Sequence, residues 1–247
     1  MKFFTLIALS LLALPSISIA EPLQSAKDFP GVIGADDREI VEEEETIFHA
    51  VGRVNIAGFR RRGVCTGTLI APNKVITAAH CVIDQGTDKP FPTDTIHFVA
   101  GLRKETFKGH SKVKSVTVPS EFSHSLKRRK FLENDIAILT LRQPIKIPPI
   151  AIDTVSAEPS LHLSHVSYGR DRAYLPVIDR ECTIMRRSPT LIATDCDTNF
   201  GGSGGPIFVE SEGPQRLIAV MVAVKQGKYS FGLVTESWLP LLKKSGK

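Results

Sequence analysis

Apolar residues along this chain come in short alternating runs, not in long stretches of helical period. The runs read as strands at Ala50–Asn55, Val64–Ile70, Lys74–Ala78, Thr95–Val99, Lys112–Val118 and Ile136–Leu141. A second group follows at Leu163–Tyr168, Thr183–Arg186, Thr190–Thr194, Pro206–Val209, Leu217–Val224 and Phe231–Thr235. Gly, Pro, Asn and Asp punctuate the gaps. Many short strands at this spacing predict barrels or sandwiches and argue against parallel α/β units. The one segment that reads as a helix is C-terminal, Glu236–Lys243. Between the two groups lies RQPIKIPPIAID at 142–153, a proline-rich linker. No internal repeat is visible in the sequence.

The N-terminus follows another pattern. Lys2 precedes an almost purely apolar stretch, Phe3–Leu14, and Ser18-Ile19-Ala20 places small residues where a signal peptidase reads. The apolar core is too short to span a bilayer, so residues 1–20 read as a cleaved secretory signal. Residues 21–45 are polar and acidic, and are expected to form an N-terminal arm or pro-segment. The remainder divides into a first half at 46–148 and a second at 149–247. A length of 247 residues allows one large domain or two small ones.

Export changes how the four cysteines are read. In an oxidising compartment, secreted or periplasmic, an even count favours disulfides. Cys65, Cys81, Cys182 and Cys196 permit three pairings. They lack the close paired spacing of a zinc site. His162 and His165 have no carboxylate or cysteine at metal-ligand spacing either, so neither a metal nor another cofactor is expected. The formal charge is +5, and loss of the first twenty residues removes only Lys2, leaving +4. The charge is patchy: Glu42–Glu45 is acidic, while Arg60–Arg62 and Lys127–Lys130 are basic and read as solvated loops. Without aromatic platforms or a basic motif, no nucleic-acid partner is expected. Nor is a membrane partner once the signal is gone, and the mature chain is expected to be a monomer.

Three local motifs carry candidate chemistry. In CTGTLIAPNKVITAAHCV, His80 follows an apolar strand and adjoins a cysteine; a pinned imidazole suits general-base work. In ENDIAILTL, Asp135 opens an alternating strand, and a carboxylate there needs a partner if it is buried. In CDTNFGGSGGPIF, four glycines surround Ser203. Each has a bland reading alone: a structural histidine, a turn cap, a flexible loop. Together, in the order His, Asp, Ser, they describe a nucleophile with its base. The glycines then acquire a purpose, because the Gly201 and Ser203 amides can converge on a developing oxyanion.

TAAHC, NDIAIL and GGSGGP resemble the chymotrypsin-like serine proteases of the trypsin superfamily, over about Val51 to Leu242. The resemblance implies an all-β fold of two six-stranded antiparallel β-barrels with a short C-terminal helix. It implies a secreted serine endopeptidase acting on protein or peptide substrates. Ser203 would be the nucleophile, His80 the base and Asp135 its orienting carboxylate. Cys65–Cys81 matches the bridge beside the histidine, and Cys182–Cys196 is similar to a second-barrel bridge. The CDT before the serine motif and the low disulfide count look closer to bacterial, glutamyl-endopeptidase-like branches.

The chain also departs from that pattern. Most members carry Asp immediately before the nucleophile, where this chain has Gly202, which puts activation by N-terminal insertion in doubt despite GVIGADDR at 31–38. Asp197, six residues before Ser203, matches a pocket-floor aspartate and implies a preference for Arg or Lys at P1. Thr198 and Gly232 fall in the same pocket. Val224 stands where relatives carry glycine and would crowd a long side chain. No histidine occurs at 219–224, which disfavours glutamyl specificity. Two other readings remain: a catalytically silent binding protein of the same fold, and an acyl hydrolase or protease with a small or apolar P1 preference.

Overall fold

The computed structural model describes residues 29–58, 62–154, 161–209 and 215–246. The predicted signal at 1–20 and Arg60–Arg61 of the basic run lie outside the described residues. Twelve strands form two barrels. The first contains β1 (Val51–Ala57), β2 (Arg62–Ala71), β3 (Lys74–Thr77), β4 (Ile96–Ala100), β5 (Gly109–Thr117) and β6 (Ala137–Leu141). The second contains β7 (His162–Ser167), β8 (Val177–Arg187), β9 (Leu191–Thr194), β10 (Pro206–Val209), β11 (Arg216–Lys225) and β12 (Tyr229–Val234). All pairings within both barrels are antiparallel.

Around the first barrel the order is β1-β2-β3-β6-β5-β4, closing on β1. Around the second it is β7-β8-β9-β12-β11-β10, closing on β7. The two circuits are the same, so the barrels share one topology although the sequence shows no repeat. Alternation explains the filling: Val54, Leu69, Val75, Phe98 and Leu139 share one face by register and are buried in the first barrel. Leu163, Ile184, Ile192, Ile207 and Met221 do the same in the second. Each such side chain contributes roughly 1.5–3 kcal/mol on burial.

Among the described residues, two α-helices complete the fold. The C-terminal one, α2 (Thr235–Lys244), falls where the sequence predicts it. The other, α1 (Arg128–Asn134), corrects the reading of the basic run as a loop: Arg129 pairs with Glu133 one turn on, and Leu132 is buried. The acidic N-terminal segment is also more than an arm. From Gly31 to Val41 it packs on the second barrel, with Glu39–Ile40 paired to Val177–Ile178 and Val32 and Val41 buried.

Candidate active site

The turn after β3 carries His80 in a short 3-10 segment, Ala79–Cys81, tied to β2 by the Cys65–Cys81 disulfide. Asp135 sits at the end of α1, just before β6, and is fully buried. Its two oxygens are both used: Oδ1 accepts the His80 amide at 2.9 Å, and Oδ2 accepts His80 Nδ1–H at 2.6 Å. This fixes the ring and its tautomer, leaving Nε2 as the base. Burial pulls the His80 pKa down, but the charge and hydrogen bond of Asp135 outweigh it and hold the imidazole above its ordinary value.

Ser203 reaches the same place through its backbone. Its carbonyl accepts the Thr66 amide at 2.9 Å, and Cys81 Sγ lies 3.8 Å from that oxygen. Two of the glycines around it take a positive φ. Gly201 (φ +100°) closes a turn in which the Gly202 amide donates to the Asn199 carbonyl at 2.8 Å. Gly204 (φ +84°) is pressed so tightly on the first barrel that a Cβ would overlap the Thr66 carbonyl and Thr77 Oγ1. Among the described residues, the hydrogen bonds of this loop engage the amides of Gly202, Gly204 and Gly205 but not those of Gly201 and Ser203.

Thr66, which sequence reasoning missed, joins the halves. Its hydroxyl donates to the Gly201 carbonyl and accepts the Tyr168 amide, both at 2.9 Å. Nothing local marks a strand threonine for this role. Phe131 of α1 is a second such residue, with its ring 6.4 Å from that of His80. An open cleft of about 760 Å³ lies beside His80. Val64, Cys65 and Phe131 line it from the first barrel, and Arg170 and Val222 from the second.

The pocket residues are arranged otherwise than the sequence implies. Asp197 is not an open pocket floor. It is 2% exposed, its Oδ1 accepts the Ile33 amide at 2.7 Å, and its own amide donates to Asp179 Oδ2. Burial pushes both Asp197 and Asp179 up to about 7. Thr198 is likewise buried, with its hydroxyl 3.2 Å from Nε2 of His165. His165 Nδ1–H donates to the Pro206 carbonyl, and burial holds the ring down at about 4, hence neutral. A Cβ on Gly202 would overlap Thr198 Oγ1, so the space of the usual aspartate is filled. Gly232 packs against Ile207 and Ala219, while Val224 lines a groove on the far side of α1. The second bridge, Cys182–Cys196, is formed. Two clusters, Cys65-His80-Cys81 and Asp179-Cys182-Cys196, bring metal-binding residue types together, but every cysteine in them is in a disulfide.

A histidine held by a buried carboxylate, facing a cleft between two antiparallel barrels beside a glycine-wrapped serine, defines the serine endopeptidase class. The chain belongs to the trypsin family: the family model described as Trypsin matches residues 41–236. It is 31% identical over 173 residues to a trypsin of Saccharopolyspora erythraea, covering 60% of this chain and 71% of that one. It is 25% identical over 155 residues to the modular serine protease of Drosophila melanogaster, covering 53% and 24%. With serine protease 23 of Bos taurus the identity is 27% over 166 residues, covering 59% and 43%. The chain therefore spans most of the first relative and less than half of the other two. In fold it is similar to a Glu endopeptidase solved in complex with MPD, with a TM-score of 0.73 at 21% identity, covering 87% of this chain and 98% of that one.

Proposed function

We propose that this chain hydrolyses peptide bonds through an acyl-enzyme on Ser203, with His80 as general base and then acid. The observation that carries this is the pair of hydrogen bonds from His80 to Asp135, 2.9 and 2.6 Å, which leaves Nε2 free on the cleft side. Asp135 fixes the tautomer and balances the imidazolium as it forms. His80 takes the Ser203 proton as Oγ attacks the carbonyl carbon, then passes it to the leaving amine. Water repeats the sequence to release the acid. The Gly201 and Ser203 amides, uncommitted within the loop, stabilise the oxyanion. Secretion accords with two disulfides in a chain with a signal-like N-terminus.

A preference for Arg or Lys at P1 loses its support. Asp197 is buried, bound to Ile33, and partly neutral near pH 7, so it is no counter-ion for a basic side chain. A small or apolar P1 residue fits better beside the branched Val222, which lines the cleft.

Ser203→Ala tests the assignment. The variant should fold, fail to label with a fluorophosphonate probe, and lose about 10⁴–10⁶-fold in kcat. Undiminished peptide hydrolysis by the purified variant would remove Ser203 from the mechanism. Wild-type protein that labels yet cleaves only small esters would instead be an acyl hydrolase, and one that never labels would be a silent relative.

A further inference from the structure

We propose that the groove beyond α1 binds acidic side chains of the substrate, a few residues away from the bond being cut. This rests on the protease reading above and adds a recognition element to it. The groove has a volume of about 750 Å³, within the range of ligand-binding clefts. Its floor is apolar, built from Leu132, Leu191, Val224 and Phe231. Its rim is cationic: Arg128 and Arg129 from α1, Arg186 and Arg187 from β8, and Lys225 from β11. Among the described residues, none of those lining it is acidic.

The cations are not equivalent. Arg129 meets Glu133 at 3.0 Å, and that carboxylate also takes the Thr190 hydroxyl at 3.4 Å. Arg128 is held in place by neutral groups, donating to the Val224 carbonyl at 3.2 Å with its guanidinium 5.8 Å from the Phe231 ring centre. Its orientation is thus set while its charge stays uncompensated by those contacts. Lys225 Nζ lies 5.4 Å from the Tyr229 ring centre, again a neutral partner. Arg186 is exposed.

The groove borders the catalytic cleft along two elements. On α1, Phe131 lines the cleft and its neighbour Leu132 lines the groove. On β11, Val222 lines the cleft and Val224 the groove. Two residues of strand span roughly 7 Å, so an extended substrate following β11 passes from His80 into the groove within a few residues. Charge complementarity selects carboxylates there. The apolar floor selects a peptide, which buries side chains, over a sulfated polysaccharide or a nucleic acid, which would not.

The test compares two peptides of equal length, identical at the cleaved bond, one with two glutamates three to five residues away from it and one with glutamines. Wild-type protein should show a kcat/KM ratio of about tenfold in favour of the acidic peptide, the size expected of two or three exposed ion pairs. The ratio should fall towards one in Arg186→Glu/Lys225→Glu, and also in wild type at high salt. Ser203→Ala protein, read by fluorescence anisotropy, should bind the acidic peptide more tightly by the same factor. Fluorophosphonate labelling with a wild-type ratio of one and equal binding of the two peptides would overturn the groove while leaving the protease intact. So would a groove that binds heparin but not the acidic peptide. Absence of labelling would overturn the protease reading alone, because the anisotropy arm needs no turnover.

Discussion

The two barrels have the same strand circuit, and the same disulfide. Cys65 on β2 bridges to Cys81 just after β3; Cys182 on β8 bridges to Cys196 just after β9. Those are the second strand and the turn after the third in each barrel. The residue beside each bridge differs in fate. In the first barrel His80 precedes the cysteine and meets a carboxylate whose two oxygens are both satisfied. In the second Asp197 follows the cysteine, is buried, and keeps one oxygen without a hydrogen-bond partner among the described residues. The lesson is that topology repeats while chemistry does not. One pinned turn holds a base against its orienting acid, and its counterpart anchors the N-terminal segment behind the serine loop.

Substitutions on either side can break or sharpen this comparison. The largest effect should come from Asp135→Asn. The amide oxygen would keep the His80 backbone N–H, turning the NH₂ toward Nδ1 and forcing the ring proton onto Nε2. A loss of about 10⁴-fold in kcat is expected with folding unchanged; near-normal turnover would reduce Asp135 to a cap. Thr66→Val severs the link between the halves. It strands the Gly201 carbonyl and the Tyr168 amide, so thermal or urea unfolding should report a loss of about 2–4 kcal/mol. A fall in kcat should accompany it, since the serine loop hangs on that hydroxyl; a kcat equal to wild type would make Thr66 merely structural.

Removing either bridge should cost about 3 kcal/mol, because the loops are of similar length, 16 and 14 residues of separation. Activity should separate them. Loss of Cys65–Cys81 frees His80 directly, and kcat should drop further than for the Cys182/Cys196 pair of alanines. Equal drops would mean that the two turns are functionally interchangeable.

The smallest effect concerns pH. Asp179 is raised in the folded state, so folding holds its proton where the unfolded chain has lost it, and stability falls as pH rises from about 4 to about 7. Asp179→Asn still accepts the Asp197 amide and carries no charge. Its melting temperature should exceed that of wild type by a few degrees at pH 8 and match it at pH 3.5. A gain independent of pH would place the burden elsewhere.

Much of this was legible beforehand. Each predicted strand corresponds to one in a barrel, because alternation of apolar and polar residues is itself the barrel's inside and outside. The site motifs were legible because glycines with positive φ and cysteines beside a histidine are rare enough to be noticed. Helix α1 was not: seven residues that open with three cations, directly after Lys127, look like a solvated loop until Leu132 is buried. The fate of Asp197 was hidden too. Its partner Ile33 is 164 residues away, and the carboxylate that accepts its amide is on another strand.

By itself the sequence determined what local sterics and period determine: where strands run, where the chain must bend through glycine, and which polar side chains stand ready for chemistry. Only the tertiary structure decided which of those polar groups satisfy one another. Asp135 became the partner of His80 and Asp197 the partner of a backbone amide because a buried carboxylate takes whichever donors the fold brings within reach, and that choice is made by contacts between distant segments.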